Sequence, residues 1–291
     1  MRIGLLFPGQ GSQFVGMGQE LYNKLPTAKR LINTSNEILG FDLKNIIFNG
    51  TDEDLTLTEI AQPAIFVVSA MYFEKFKKME ESFEVAAGHS LGEYSALYAA
   101  NVISFEDCLR LVRKRGLAMK EQNSLGTMFA IMGVDLEYIT NSIGEFNKKV
   151  VIANVNSKSQ IVISGYKEET IKVAEKLSRI NGSKVKQLNV SSAFHSPLMN
   201  DAKKIMEYEI DKVCFKKPSS SIIPNVLGYA TDDINTIKNS LKEQVTGQVK
   251  WFDTIICMKD FGIEKLYEVG PGEVLKKLNK TIIFRPKCES L

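Results

Sequence analysis

The stretch that most constrains this chain is the pentapeptide GHSLG at residues 88–92. It follows the apolar run FEVAA (83–87) and precedes EYSALYAA (93–100), a pattern that predicts a buried strand turning directly into a helix. A serine at so tight a turn takes a strained backbone conformation, and its flanking positions must lack a Cβ. The Ser90 hydroxyl would then lie at a helix N-terminus, where backbone N–H groups can stabilise an oxyanion. The pattern indicates a nucleophile elbow, although a glycine-rich turn with an incidental serine has the same letters.

Composition narrows the class of protein. The chain has 291 residues, 44% of them hydrophobic and 24% charged, which is typical of a globular protein with one large domain or a large and a small one. The net charge of +3 is too small to indicate a nucleic-acid partner. No apolar run approaches the roughly 18 residues of a membrane span, and the N-terminal apolar run is too short for a signal peptide. We therefore expect a cytoplasmic protein with no membrane association.

The cysteines argue against a metal site. Cys108, Cys214, Cys257 and Cys288 are scattered, with no C-x-x-C pair and no histidine nearby. Such cysteines are typical of reduced or buried thiols rather than of a metal site or a disulfide framework. We expect no metal and no redox cofactor.

The order of the predicted elements indicates an α/β fold with an inserted unit. Between residues 126 and 190 the pattern predicts strands at 127–134, 150–155, 160–165 and 184–190, with helices at 136–146 and 168–180. This β-α-β-β-α-β order is ferredoxin-like. We therefore predict a small ferredoxin-like subdomain at 126–190, bracketed by Gly126 and Ser191, within a larger α/β domain of residues 1–125 and 191–291. The segment NVNS (154–157) carries amides that could line a cleft, but its residues alone favour a turn.

The larger domain is expected to be built on a mostly parallel sheet. A strand is predicted at residues 1–7, an apolar helix opened by Gln62 and Pro63, and a helix from Phe105 to about Glu121. Within this last helix, Arg115 falls in the middle of the apolar stripe, while Arg110, Arg113, Lys114 and Lys120 lie on the solvated face. A guanidinium directed at the interior requires a carboxylate or phosphate. A buried ion pair, an outward-reaching side chain and a clamp for a substrate carboxylate all fit this position.

The candidate base follows from the scarcity of histidine. The chain has two, His89 and His195. His89 is part of the elbow itself, and its side chain should point away from the Ser90 hydroxyl. His195 lies in the loop SSAFHSP (191–197) and can approach Ser90 from a distant part of the chain, as the bases of such sites do. No aspartate between Ser90 and His195 is well placed to orient the imidazole, so a backbone carbonyl or amide could do so.

The glycine loop FPGQGSQ (7–13) follows the first strand and remains open to two interpretations. It could cradle a nucleotide, although it lacks both the G-x-G-x-x-G spacing and the lysine of a P-loop. It could equally bring backbone N–H groups or the Gln10 side chain to a substrate oxygen.

Four motifs in order are highly specific together. They are GQGSQ (9–13), GHSLGEYSA (88–96), AFHS (193–196) and EVGPG (268–272). With them the chain resembles the malonyl-CoA:acyl carrier protein transacylase family over residues 7 to about 278. The family combines an α/β-hydrolase-like core with a ferredoxin-like insert, in agreement with the pattern above.

The resemblance implies a role for each matching residue. Ser90 would be the nucleophile and His195 the general base, with the backbone N–H groups of Gln10 and Leu91 as the oxyanion hole. Arg115 matches the arginine that binds the malonyl carboxylate. The residues that complete the implied site are Gln244, whose backbone carbonyl would orient the histidine, and Phe194 and Asn156, which would line the substrate pocket.

The implied function is ping-pong malonyl transfer from malonyl-CoA to the phosphopantetheine thiol of acyl carrier protein, for fatty acid biosynthesis. The enzyme would be an S-malonyltransferase without a cofactor of its own, and a monomer is expected. Because Phe194 is bulky, malonyl is favoured over a substrate branched at C2. The carrier is acidic in this family, and candidate basic contacts are Arg179, Lys184, Lys186, Lys276, Lys277 and Lys280.

Two other functions remain as alternatives. A serine hydrolase, either a thioesterase or a patatin-like lipase, could use the same elbow. A patatin-like enzyme has no need of His195 or of an inward arginine, and a thioesterase must admit water to the acyl-enzyme. A non-catalytic module that binds acyl carrier protein is the third possibility, and the presence of Ser90, His195 and Arg115 argues against it.

Overall fold

The structure is a computed structural model that describes residues 1–79, 82–121, 125–190, 192–282 and 287–291. The strands in these residues are β1 (Ile3–Phe7), β2 (Val85–Gly88), β3 (Gly126–Met132), β4 (Val150–Ser157), β5 (Gln160–Tyr166), β6 (Lys184–Gln187), β7 (Ser221–Ile222), β8 (Lys265–Glu268) and β9 (Lys287–Ser290). The helices are α1 (Gln19–Lys24), α2 (Pro26–Leu39), α3 (Leu43–Asn49), α4 (Asp52–Thr56), α5 (Thr58–Lys77), α6 (Gly92–Ala99), α7 (Phe105–Lys120), α8 (Leu136–Gly144), α9 (Lys167–Ser178), α10 (Asn200–Asp211), α11 (Ile234–Glu243), α12 (Trp251–Asp260) and α13 (Val274–Asn279). A short 3-10 turn spans Pro197–Met199.

A parallel sheet forms the centre of the larger part of the molecule. Among the described residues it contains five strands in the order β7-β2-β1-β8-β9, and every pair is parallel. All residues of β1 and β2 are buried, as expected for strands covered by helices on both faces. Because β1 and β2 are neighbours in register, the loops that follow their carboxyl ends lie side by side. The prediction of an α/β core with a parallel sheet is confirmed.

Helix α5 begins earlier than predicted. It starts at Thr58, so Pro63 lies inside the helix rather than at its start. A proline there cannot donate the hydrogen bond that the carbonyl of Glu59 would otherwise accept. The guanidinium of Arg113, on α7, donates to that carbonyl instead. Arg113 is therefore partly buried and not wholly on the solvated face, because its side chain reaches α5 to make this hydrogen bond.

The antiparallel sheet has the strand order of the predicted ferredoxin-like unit. Its order is β4-β5-β3-β6, and each neighbouring pair is antiparallel. It has its own apolar core with α8 and α9, which includes Ile131, Ile161, Ile163, Val173 and Leu177. The predicted elements of this region all occur, with ends displaced by a few residues, as is common for helix and strand boundaries. Ser191, predicted to mark the end of the insert, lies outside the described residues.

The end of β4 pairs with Val249 as well as with its neighbour β5. The turn predicted at residues 154–157 is wrong, because these residues continue β4 and the turn follows at 158–159. The backbone of β4 exchanges two hydrogen bonds with Val249, through Val155 N–H and Ala153 C=O. Pairing with β5, and with Val249 from another part of the chain, thus holds this segment extended, which its own residues do not reveal.

The helices and the cysteines bear on the membrane and disulfide predictions. None of the helices in the described residues is long and apolar enough to cross a bilayer. The four cysteines are all free thiols, with Cys108 buried and Cys214 exposed.

Candidate active site

Ser90 lies on a tight turn between β2 and α6. Its φ of 51° is left-handed, a strained conformation for a residue with a side chain. A Cβ at Gly88 would come within 1.9 Å of the backbone of Gly92, and one at Gly92 within 2.0 Å of the Phe7 carbonyl oxygen. Only glycine fits either position, so these two residues permit the elbow that the sequence pattern indicates.

His195 reaches Ser90 from the loop after the antiparallel sheet. Its Nε2 lies 2.8 Å from Ser90 Oγ, and its Nδ1 lies 2.9 Å from the Gln244 carbonyl oxygen and 3.0 Å from that of Gly247. Carbonyl oxygens only accept, so the proton is on Nδ1 and the lone pair of Nε2 faces the serine hydroxyl. The imidazole is thus held in the tautomer that a general base requires, without an aspartate.

The surroundings keep His195 neutral. Its side chain is only 4% exposed. Burial, reinforced by the nearby charge of Arg115, lowers the pKa of His195 from 6.5 to about 3. A histidine with this pKa is unprotonated at neutral pH and can accept the serine proton.

The two backbone amides predicted to form the oxyanion hole lie in loops that pack against each other. Leu91 N–H is at the start of α6, and Gln10 N–H is in the loop after β1. A Cβ at Gly9 would lie 2.3 Å from the His89 carbonyl oxygen, so that loop packs directly on the elbow. Among the described residues neither amide has a hydrogen-bond acceptor. Free, fixed donors beside a nucleophile suit the stabilisation of a tetrahedral intermediate.

Arg115 points into the interior, as its helix phase predicts. It is 1% exposed. Its Nη1 donates to Gln62 Oε1 at 2.9 Å, and its Nη2 donates to Ser90 Oγ at 3.0 Å and to Gln244 Oε1 at 3.1 Å. The guanidinium therefore lies directly beside the nucleophile.

In the part of the chain that the structure describes, the guanidinium of Arg115 has no carboxylate as a hydrogen-bond partner. All its hydrogen-bond acceptors among the described residues are neutral, and its Nε has none. A buried cation in this state is costly, and a bound carboxylate would offset that cost. Of the possibilities left open by the sequence, the outward-reaching side chain is excluded, and Arg115 makes no direct ion pair with any described residue.

The remaining predicted residues lie at different distances from this cluster. His89 points away from Ser90, and its Nε2 donates to Asn156 Oδ1 at 2.9 Å while its ring contacts that of Trp251. Asn156, near the end of β4, thus touches the elbow through His89. Phe194 is buried in the larger apolar core. Its pocket role and that of Asn156 stay predictions.

Several residues at the site were missed by the sequence patterns. They are Gln62, Glu93, Asn225 and Gly247. Glu93 gave one signal, as an acid at the start of a helix of small apolar residues. Asn225 and Gly247 lie in loops with no motif, and only the fold brings them to Ser90 and His195.

The chain is similar in sequence to a known family of proteins over most of its length. Residues 5–247 match the family described as acyl transferase domain. The chain is 41% identical over 292 residues to the malonyl CoA-acyl carrier protein transacylase of Bacillus subtilis, covering 98% of this chain and 92% of that protein.

Solved structures give the same relationship. The acyl-carrier-protein-S-malonyltransferase of Bartonella henselae matches with a TM-score of 0.95 at 35% identity, over 100% of this chain and 95% of its own. A structure of a type II PKS acyl-carrier protein in complex with its malonyl-transacylase matches with a TM-score of 0.95 at 31% identity, over 100% of this chain and 96% of that one.

Proposed function

The chain belongs to the acyl transferase domain family, and we propose that it transfers malonyl groups from malonyl-CoA to the phosphopantetheine thiol of an acyl carrier protein. The observation that carries this proposal is the buried Arg115 guanidinium, 3.0 Å from Ser90 Oγ and with no carboxylate among its hydrogen-bond partners in the described residues. An acyl group that bears its own carboxylate satisfies that cation while its thioester meets the serine. The protein is an acyltransferase, and a serine hydrolase is not favoured, because the similar proteins named above are transferases.

In the first half-reaction Ser90 becomes acylated. His195 Nε2 takes the hydroxyl proton as Ser90 Oγ attacks the thioester carbonyl of malonyl-CoA. The negative charge that develops on the carbonyl oxygen is stabilised by the N–H groups of Gln10 and Leu91. The tetrahedral intermediate collapses, the C–S bond breaks, and the departing thiolate of CoA takes the proton back from His195.

In the second half-reaction the carrier replaces CoA. His195 accepts the proton of the phosphopantetheine thiol, whose sulfur attacks the malonyl ester carbonyl. The same two amides stabilise the oxyanion, and Ser90 Oγ leaves with the proton from His195. Throughout, Gln244 C=O and Gly247 C=O keep Nδ1 protonated, and Arg115 holds the malonyl carboxylate. The chain supplies nucleophile, base and oxyanion donors, so the proposed reaction uses no cofactor of its own.

Finer features complete the proposal. The carrier is acidic and meets a basic rim, malonyl is preferred because Phe194 limits space at C2, and the transfer serves fatty acid biosynthesis. The protein acts as a monomer in the cytoplasm. The antiparallel sheet contributes Lys184 and Lys186, both exposed on the edge strand β6, as part of that rim.

Intact-mass spectrometry tests the proposal. With malonyl-CoA, the protein should gain one malonyl group, and holo acyl carrier protein should then remove it and carry it. Ser90→Ala should show neither step. An adduct that disappears at the same rate with or without carrier would mean a hydrolase and would overturn the proposal, as would the absence of an adduct.

A further inference from the structure

A side-chain amide outside the elbow bridges its two ends. Ser90 N–H donates to Asn225 Oδ1 at 2.7 Å, and Asn225 Nδ2 donates to the Gly88 carbonyl oxygen at 2.6 Å. A left-handed residue between a strand and a helix has no regular backbone partner for these groups. The Asn225 side chain supplies both partners at once, so it closes the turn around His89.

The orientation of Asn225 is itself fixed. It lies in the loop after β7 and is 2% exposed. Its backbone N–H donates to Glu93 Oε2 at 3.1 Å, and its backbone carbonyl accepts from Lys250 N–H at 2.9 Å. Because both main-chain groups are held, the side chain meets the elbow in a single direction.

Glu93 is a fully buried carboxylate one helical turn from the nucleophile. Besides the Asn225 amide, its Oε2 accepts from Gln244 Nε2 at 2.8 Å, while Oε1 has no hydrogen-bond partner in the described part of the chain. Burial raises the pKa of Glu93 to about 7. A buried carboxylate is unfavourable where a neutral side chain would do, so its hydrogen bonds point to a function.

Gln244 carries the network to the other site residues. Its Nε2 also donates to the Ser90 carbonyl oxygen at 2.8 Å, and its Oε1 accepts from Arg115 Nη2. Its own carbonyl accepts from His195 Nδ1. Glu93 thus accepts from the backbone of Asn225 and from the side chain of Gln244, and Gln244 in turn contacts both Arg115 and His195.

We propose that Asn225 and Glu93 are positioning residues: Asn225 holds Ser90 in its left-handed conformation, and Glu93 anchors Asn225 and the Gln244 side chain that orients Arg115. The proposal rests on acyl transfer through Ser90 and adds residues that touch no substrate. It predicts two separable effects, one on the reactivity of Ser90 and one on the selection of a carboxylate-bearing acyl group.

Asn225→Ala tests the first effect. Labelling of Ser90 by a fluorophosphonate, which needs no malonyl group, should slow roughly tenfold or more, since small displacements of a nucleophile are costly. Acylation by malonyl-CoA and by acetyl-CoA should slow to the same extent, with KM little changed. If Asn225→Ala does not fold, Asn225→Asp carries the test: it keeps an acceptor for Ser90 N–H but puts an oxygen against the Gly88 carbonyl, and labelling should again slow.

Glu93 is tested by a pair of variants. Glu93→Ala removes the acceptor for both amides and should slow malonyl-CoA acylation more than acetyl-CoA acylation, because Arg115 loses its orientation as well. Glu93→Gln keeps an acceptor oxygen and should restore both rates to within about threefold of wild type. The matched control is Glu268→Ala, since Glu268 is also a buried carboxylate that accepts two backbone amides, those of Leu275 and Lys276 at the start of α13 rather than those of the Ser90 network. It should lower stability and leave the rates unchanged.

The outcomes separate this inference from the proposed function. Failure of the wild-type protein to form a malonyl adduct would reject malonyl transfer, yet fluorophosphonate labelling would still report on the network. If the fluorophosphonate labels folded Asn225→Ala at the wild-type rate, the inference is overturned while malonyl transfer still stands. The inference would also be overturned if Glu93→Gln were acylated as slowly as Glu93→Ala. The same holds if Glu268→Ala were acylated as slowly as Glu93→Ala.

Discussion

At the scale of single residues, the proposed nucleophile and base are held by their backbones as well as by hydrogen bonds. Ser90 and His195 have φ of 51° and 56°, in the left-handed region that usually costs about 1–3 kcal/mol for residues with a Cβ. The surrounding contacts impose these conformations, and the hydroxyl and imidazole meet at 2.8 Å. The site is therefore preorganised, and little reorganisation is needed when the thioester arrives.

Arg115→Ala tests the role of the buried cation. Acylation by malonyl-CoA should fall by more than about tenfold, because a desolvated charge-assisted pair contributes more than about 1.4 kcal/mol. Acylation by acetyl-CoA, which has no carboxylate to bind, should fall less. Rapid-quench measurement of the acyl-enzyme with both thioesters checks this, with Lys114→Ala as the exposed control on the same helix. An equal loss for both thioesters would contradict a carboxylate role.

The acidity of His195 predicts a pH profile. Its pKa in the folded protein lies below 6.5, at about 3, so the base stays neutral and active until the pH falls through that lower value. Acylation by acetyl-CoA should stay nearly constant from pH 8 to about 5, where an ordinary histidine would already be protonated. Stopped-flow pH jumps limit unfolding during the measurement. In Arg115→Ala the loss should begin at a higher pH, because a charge that lowers the pKa is gone. A wild-type midpoint near 6.5 would refute this account.

At the scale of secondary-structure elements, α7 supplies a hydrogen-bond donor that α5 lacks. Pro63 leaves the Glu59 carbonyl without its helical donor, and Arg113 replaces that donor from α7. Gly116 lets the two helices approach, since a Cβ there would lie 2.8 Å from Glu59 Cα. The same helix pair carries Gln62 and Arg115, so its alignment sets the position of the cation beside Ser90.

A double-mutant cycle measures this contact. Arg113→Ala should lower the free energy of unfolding by about 1–3 kcal/mol, because the buried Glu59 carbonyl loses its partner. In a Pro63→Ala background the helix regains an N–H donor, so the loss should shrink by about 1 kcal/mol. Urea denaturation gives both values, with the exposed Arg110→Ala as control. Identical losses in the two backgrounds would show that Arg113 does not act through the carbonyl.

At the scale of the whole molecule, the site lies where two sheets meet. The elbow and the Gln10 loop come from the parallel sheet, while the chain returns from the antiparallel sheet just before His195. Residues 244–249 connect both, because Gln244 and Gly247 bind His195 and Val249 pairs with β4. Both parts of the fold therefore help to set the orientation of the His195 imidazole.

The proposed carrier surface is tested by charge reversal on the edge of the antiparallel sheet. Lys184→Glu with Lys186→Glu should lower kcat/KM for holo carrier by roughly tenfold, chiefly at low salt, since rim charges steer association. Acylation by malonyl-CoA should not change. The matched control is Lys216→Glu with Lys217→Glu, an exposed pair beyond the C-terminal end of α6. Equal effects of the two pairs would mean that net charge, not this surface, governs the encounter.

Several features follow from local sequence alone. The strand-turn-helix at residues 88–92 depends on glycines whose neighbours leave no room for a Cβ. The pentapeptide alone is enough to predict this steric limit. The inward direction of Arg115 follows from helix periodicity. The order of the ferredoxin-like unit follows from alternating patterns over 126–190, because each element there buries an apolar face of its own.

Other features required the tertiary structure. Pro63 lies within a helix because Arg113, 50 residues away, replaces its missing donor. Residues 154–157 stay extended because they pair with β5 and, at one bridge, with the distant Val249. Asn225 and Glu93 meet the elbow through hydrogen bonds that join positions 132 to 137 residues apart. The sequence by itself determined the features with local causes, steric or periodic; only the folded chain decided which distant polar groups would satisfy one another, since that depends on how the loops of separate elements converge.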